Sequence, residues 1–537
     1  MKLSAFFRSS LVISILFQCM LLCENTSIKD KITGVTIKVL DKQVKAYLGI
    51  PYATPPVGNL RFSEPQPVKD WDFVYNATQK PPSCMQEPMF FDPEWPNRHP
   101  KEVSEDCLYI NIWVPASTTC GDKLATMVWI YGGSFSVGST SMDIYDGSFI
   151  ASMGEVIVVS FNYRLGAFGY ANFGQDGAAG NMGMLDQVMA LKWVHENIEA
   201  FGGDRELITV FGESAGSISA AHHLVSPMTK GLFKRAILQS GSNYHNLVIV
   251  EPEDNIETTS KLSKELGCNE EDMLECMRNV NSVDIVAAEK KLKKEKKTLA
   301  IFLPQSGSPL LPEHPFQNVD SGKFHDVDVL IGETRDEGSL FLLFNKLELI
   351  KEDEPVLSKS ESESILGDSY KVNSESVNRI MREYLGDIAD EASFTITKQT
   401  IKAIGHGIFT CPIFHLAEKL SENNRKVFHY TFNHTRIKSP IKKWMGVPHF
   451  HDVSFVFGKP FSRVKDYTTA EMEFSKRTIE LWTSFAKTGK PSCEGMEEWL
   501  EFDEKERRSL SLTLGNIHLT KAEEEKCRFW KDFYGYN

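Results

Sequence analysis

Neither a Cys-x-x-Cys pair nor a group of histidines at zinc spacing occurs in the chain, so no metal site is expected. Positive charge is scarce. The 59 Lys and Arg residues stand against 72 Asp and Glu, a balance that argues against nucleic acid and anionic membrane as partners. The acidic excess would mildly steer cationic small molecules, although solubility is the plainer reason for it. Beyond one apolar stretch at the N-terminus, no second segment approaches the roughly 20 apolar residues of a membrane span. The C-terminal Lys531–Asn537 lacks the hydrophobic tail of a lipid-anchor signal. No membrane anchor is therefore expected. Internal repeats are absent too, which sets aside stacked-repeat architectures.

The N-terminal stretch is informative in itself. Lys2 and Arg8 precede Leu11–Phe17 and Leu21–Leu22, the layout of a secretory signal over residues 1–23. Without it the chain holds 57 basic and 72 acidic residues, a net charge of −15. Eight cysteines then remain: Cys84, Cys107, Cys120, Cys268, Cys276, Cys411, Cys493 and Cys527. An even number in a secreted chain reads as disulfides. Asn25, Asn76 and Asn433 each begin an Asn-x-Ser/Thr sequon, with Asn25 close to the cleavage point. A secreted, extracellular glycoprotein is expected.

Organisation follows from periodicity. Residues 32 to 47 alternate as one or two short antiparallel strands, and residues 64 to 100 form a loop with eight prolines. From Leu108 a rhythm begins, with apolar runs at Leu108–Val114, Thr126–Tyr131, Val156–Phe161, Leu207–Phe211, Arg235–Gln239, Val327–Gly332 and Lys426–Thr431. Helical spacing intervenes, as in Met184–Val194. Such alternation predicts βαβ units and a mostly parallel sheet covered on both faces. Residues 251 to 300 and 345 to 405 read as polar helices capping the sheet edge. Within them, Lys290–Lys297 reads as the solvated face of a helix rather than a site for an anionic partner. Glu352–Glu354 and Ser358–Ser364 read as a mobile surface loop. Glu471 to Lys487 reads as an amphipathic helix.

The chemistry centres on Gly212-Glu213-Ser214-Ala215-Gly216. An apolar run precedes this Gly-x-Ser-x-Gly pattern and small residues follow it, as in a sharp strand-to-helix turn that exposes a nucleophilic serine. A serine hydroxyl needs a base to take its proton and a carboxylate to orient that base. On such a fold the order is serine, acid, histidine, with the last two in loops after later strands. Glu337 and its neighbour Asp336 are candidates for the acid, and His449 and His451 for the base; spacing alone does not choose. The turn Gly132-Gly133-Ser134-Phe135, at the end of a predicted strand, is suited to presenting backbone N–H groups to a developing oxyanion.

These motifs, together with Ser104–Trp113, Leu238–Ser242, Asp336–Ser339, Trp444–Val447 and Phe455–Gly458, resemble the type-B carboxylesterase and cholinesterase family from about Val35 to the C-terminus. The resemblance implies an α/β-hydrolase fold with helical cap insertions, residues 24–537 as one catalytic domain, and a small-molecule ester as substrate without metal or cofactor. It implies Ser214, Glu337 and His449 as the catalytic residues and the N–H groups of Gly133, Ser134 and Ala215 as the oxyanion hole. It also implies disulfides Cys84–Cys107, Cys268–Cys276 and Cys411–Cys527. Cys120 and Cys493 are left to pair with each other or stay free. The pattern says nothing about oligomeric state.

Substrate is the open point. Trp95 in the Cys84–Cys107 loop resembles the tryptophan on which acetylcholinesterases rest choline, but it stands about two residues farther from Cys107; it reads equally as a packing aromatic. A cation over tryptophan gains roughly 0.5–2 kcal/mol, and Glu213 would add attraction. Other positions depart from that pattern. Leu340 replaces a gorge aromatic, with Phe341 following. Leu247 and Leu299–Phe302 suggest a roomier acyl pocket. Phe450 stands where the family has glycine, and Ser134 replaces the third glycine of the oxyanion turn. A broad carboxylesterase is expected first and a choline-ester hydrolase second. A stoichiometric organophosphate scavenger, or an adhesion protein of this fold, is the reading from another class; the intact triad argues against adhesion.

Overall fold

The computed structural model describes residues 28–69, 71–88, 102–119, 121–244, 248–522 and 525–536. The predicted signal, Asn25, Trp95, Cys120 and Leu247 lie outside them. Eleven strands build one sheet: β1 (Val35–Val39), β2 (Lys42–Pro51), β3 (Tyr109–Pro115), β4 (Leu124–Ile130), β5 (Ile157–Phe161), β6 (Gly203–Glu213), β7 (Arg235–Gln239), β8 (Asp328–Thr334), β9 (Val427–Phe432), β10 (Arg508–Thr513) and β11 (Asn516–Lys521). Their spatial order is β1-β2-β3-β5-β4-β6-β7-β8-β9-β10-β11. Pairing is parallel from β5 through β10 and antiparallel at both ends.

The central strands are apolar because helices cover both faces. Every residue of β5 and β7 is buried. The helix Thr469–Thr488, opened by a capping box between Thr468 and Glu471, supplies Trp482, which is 1% exposed and donates to Gln239 Oε1 at 3.1 Å. No helix among the described residues is long and apolar enough to cross a membrane.

The polar segments form helices, among them Pro252–Glu265, Ser282–Glu295, Ser374–Leu385 and Ser393–Gly405. One expectation is corrected. Ser358–Ser364 is no mobile loop but opens the helix Lys359–Tyr370, because Ser358 and Glu361 close a reciprocal capping box. The lysine run follows a helix face, with Lys291 on Glu265 at 2.5 Å and Lys297 on Asp368 at 3.3 Å. Lys293 alone among its lysines is buried. Disulfides join Cys84 to Cys107, Cys268 to Cys276 and Cys411 to Cys527. Cys493 is a free thiol whose pKa burial raises.

Candidate active site

Ser214 follows β6, Glu337 follows β8 and His449 lies in the connection that leaves β9. All three therefore stand at the carboxyl ends of parallel strands, where open α/β sheets leave a crevice. The turn at Ser214 is strained, with φ 56° and ψ −125°, a conformation costing about 1–3 kcal/mol. Two features hold it there. Ser214 N–H donates to Gln239 O on β7 at 2.9 Å, and Gly216 lies so close to β4 that a Cβ would meet Ile130 O at 1.9 Å. The helix Ala215–His223 begins immediately, so its positive end faces the serine.

The Gly132–Phe135 turn packs against this elbow. A Cβ on Gly132 would sit 2.9 Å from Ser214 Cβ. Gly133, Ser134 and Phe135 all have positive φ, at 123°, 54° and 57°. Gly133 O accepts from Ser136 N and Val137 N at 3.0 Å each, which closes the turn. No hydrogen bond of the described residues uses the N–H of Gly133, Ser134 or Ala215, so three donors remain available beside the serine.

His449 is 6% exposed and has a carboxylate at each ring nitrogen. Nδ1 lies 2.5 Å from Glu337 Oε2, and Nε2 lies 3.0 Å from Glu213 Oε1. The second contact is Coulombic, since neither atom meets hydrogen-bond geometry. Burial works against charge on the imidazole, but Glu213 and then Glu337 outweigh it and raise its pKa to about 10. Glu337 is itself fixed: Oε1 accepts from Ser240 Oγ at 2.6 Å and from Thr334 N at 2.8 Å. Asp336 points elsewhere and accepts from Val447 N at 2.8 Å and Arg335 Nε at 2.7 Å, bracing the histidine's turn. His451 opens the helix His451–Val456. No hydrogen bond among the described residues joins Ser214 Oγ to His449; such contacts often tighten only with substrate bound.

Two aromatic rings hold the imidazole, Phe409 at 4.5 Å and Phe341 at 5.2 Å. Phe341 and the half-buried Leu340 lie on the helix Gly338–Asn345. Phe409 belongs to a π-helical turn, His406–Thr410, a feature that often marks functional sites; no local sequence signal points to it. Asp452 is also unforeseen. It is fully buried, accepts from Gln239 Nε2 at 2.8 Å and Tyr430 OH at 3.1 Å, and is raised to about 7 by burial and then by Glu213. Phe450 takes the left-handed conformation at φ 80° and packs edge-on against Tyr145 at 6.2 Å.

A consequence concerns pH. The protonated imidazole cannot accept a proton, so raising the histidine pKa confines the base form to high pH. Glu213→Gln removes one flanking charge and is expected to move the ascending limb of kcat/KM to lower pH by about 1–3 units. A pH–rate profile of the two proteins checks this; coincident limbs would refute it.

The sheet order and these strand ends define an α/β-hydrolase. The Carboxylesterase family model matches residues 25–530, and the chain belongs to that family, a family of carboxylic ester hydrolases. It is 37% identical over 528 residues to a cholinesterase of Mus musculus, covering 95% of this chain and 86% of the relative. It is 36% identical over 519 residues to an acetylcholinesterase of Bungarus fasciatus, covering 94% and 85%. An acetylcholinesterase of Leptinotarsa decemlineata is 33% identical over 550 residues, covering 96% and 86%.

Proposed function

We propose that this protein is a secreted serine esterase of broad carboxylic-ester specificity, with residues 24–537 acting as one catalytic domain. Ser214 Oγ attacks the ester carbonyl while His449 Nε2 takes its proton and then returns it to the leaving alcohol. Glu337 holds Nδ1–H and supports the imidazolium. Gly133, Ser134 and Ala215 donate to the oxyanion, and water hydrolyses the acyl-enzyme by the same route in reverse. The observation that carries this reading is the Glu337–His449 contact at 2.5 Å, set at the sheet edge that carries the strained Ser214. Entering substrate must draw the imidazole from Glu213 toward the serine.

Broad ester substrates are favoured by the apolar rings of Phe341 and Phe409 beside His449, and by Leu340 in place of an aromatic. Glu213 supports the second reading, a choline-ester hydrolase, because its buried carboxylate, once the imidazole leaves it for the serine, would attract a cationic leaving group. Hydrolysis of naphthyl or nitrophenyl esters, compared with acetylthiocholine, tests the order. A strong, substrate-inhibited preference for the choline ester would reverse it. Labelling of Ser214 by a fluorophosphonate without ester turnover would instead indicate a scavenger.

Ser134 also carries an expected result. Its side chain crowds the reacting carbon, so Ser134→Gly should be carbamoylated faster by bulky carbamates. Equal inhibition rate constants would sink the idea. Glycosylation is proposed at Asn76, which is exposed and accepts from Thr78 Oγ1 at 2.9 Å.

A further inference from the structure

The oxyanion turn is supported from behind by a buried ionic group that belongs to the cap. Glu289, on the helix Ser282–Glu295, is 5% exposed. Its Oε2 accepts from Ala167 N at 2.9 Å, at the start of the short helix Gly166–Tyr170. The residue before that helix, Leu165, offers no side-chain cap, so the remote carboxylate takes the cap's place. The approach is close: a Cβ on Gly166 would lie 2.4 Å from Glu289 Oε2, and Gly166 has φ 51°. Lys293, one turn along, lies 3.7 Å from Glu289 Oε1 and also pairs with Glu87. Glu87 follows the disulfide at Cys84.

The helix passes this anchorage to the turn. Gly166 N–H donates to Phe135 O at 2.8 Å, and Tyr170 packs edge-on against Phe135 at 5.5 Å. Phe135 is the residue after Ser134, and both hold strained positive φ. A turn in that conformation persists only where its surroundings over-determine it. On the opposite side, Arg164 and Asp186 form a buried pair at 2.7 Å that fixes the chain entering the helix. Glu289 thus stands in a chain of contacts that runs Lys293, Glu289, Ala167, Gly166, Phe135, Ser134.

We propose that Glu289, held by Lys293, is a positioning residue for ester hydrolysis: by capping the helix Gly166–Tyr170 it fixes the Phe135 carbonyl and so aims the Gly133 and Ser134 N–H groups. This rests on the assignment of those groups as oxyanion donors. An ionic group in the cap would then set the rate of chemistry at Ser214 without touching substrate. Because the donors act on the tetrahedral species more than on the bound ester, loss of aim should appear in kcat and not in KM.

The test compares wild type, S214A, E289A, E289Q and E289D on a nitrophenyl ester and against a trifluoromethyl ketone that forms a tetrahedral adduct. E289A should lose about 10- to 100-fold in kcat with KM little changed, and bind the ketone more weakly by the same factor. E289Q still offers an oxygen to Ala167 N–H and should recover most of the loss. A merely structural role would lower thermal stability alike in both and leave the ketone-to-substrate affinity ratio unmoved; that result would overturn the proposal. If E289A does not fold, E289D decides: it keeps the charge but draws the acceptor back from Ala167 N–H, so kcat and ketone affinity should both fall, and both unchanged would overturn the proposal. If wild type shows no turnover that S214A abolishes, the esterase assignment fails first and this inference falls with it.

Discussion

Glu337→Gln is expected to lower kcat about 10⁴-fold while the protein keeps its fold. The amide oxygen can take the place of Oε1, still accepting from Ser240 Oγ and Thr334 N, so the local hydrogen bonds survive. The amide nitrogen then faces His449 Nδ1 and donates to it. That forces the proton onto Nε2, the atom that must accept from Ser214. The base is present but in the wrong tautomer. Steady-state hydrolysis of a nitrophenyl ester, beside a thermal melt, checks the separation; a loss under about tenfold with an unchanged melt would show that Glu337 does not orient the histidine.

Gly133→Ala is expected to be nearly as damaging, for a steric reason. Its φ of 123° lies where L-residues are strained, and its Cβ would meet Val137 O at 2.1 Å. The turn cannot keep its closure onto Gly133 O and accept that methyl group. Each oxyanion donor lost costs about 10²–10³ in kcat, and displacement of this turn removes Gly133 and Ser134 together. KM should move far less, since the ground-state ester relies less on these donors. An alanine variant with near wild-type kcat would mean that the oxyanion is held elsewhere.

Much of this site was legible because its chemistry is local. The Gly-x-Ser-x-Gly pattern and the glycine turn each sit at the end of an apolar run, and strands read from such runs match β3 through β9. The choice between Asp336 and Glu337 was not local. It depends on how the helix Gly338–Asn345 leaves β8, which turns Glu337 toward His449 and Asp336 toward Val447. Phe409 reaches the imidazole from 40 residues upstream in sequence, through a π turn that ordinary periodicity does not signal. Glu289 lay hidden because it opens a charge run whose other members, Lys293 apart, behave as a solvated face. The hairpin β10–β11 does carry the period-two alternation of an edge pair, with Gly515 at its turn. Its alternating polar residues leave no continuous apolar run of the kind that marks the central strands.

The backbone around His449 has a consequence for ageing and heat. Ser134, Phe135, Ser214, Ser240 and Phe450 all hold left-handed or otherwise positive φ without being glycine, and each costs about 1–3 kcal/mol. These five, of the fourteen such residues described, share one shell over a packed sheet. On warming, that shell should relax before the sheet melts, so activity is lost irreversibly at temperatures where the circular dichroism of the whole chain still looks native. Selection for heat resistance would then find its easiest substitutions in the very turns that make the serine reactive, and the hardier proteins it yields would be slower esterases.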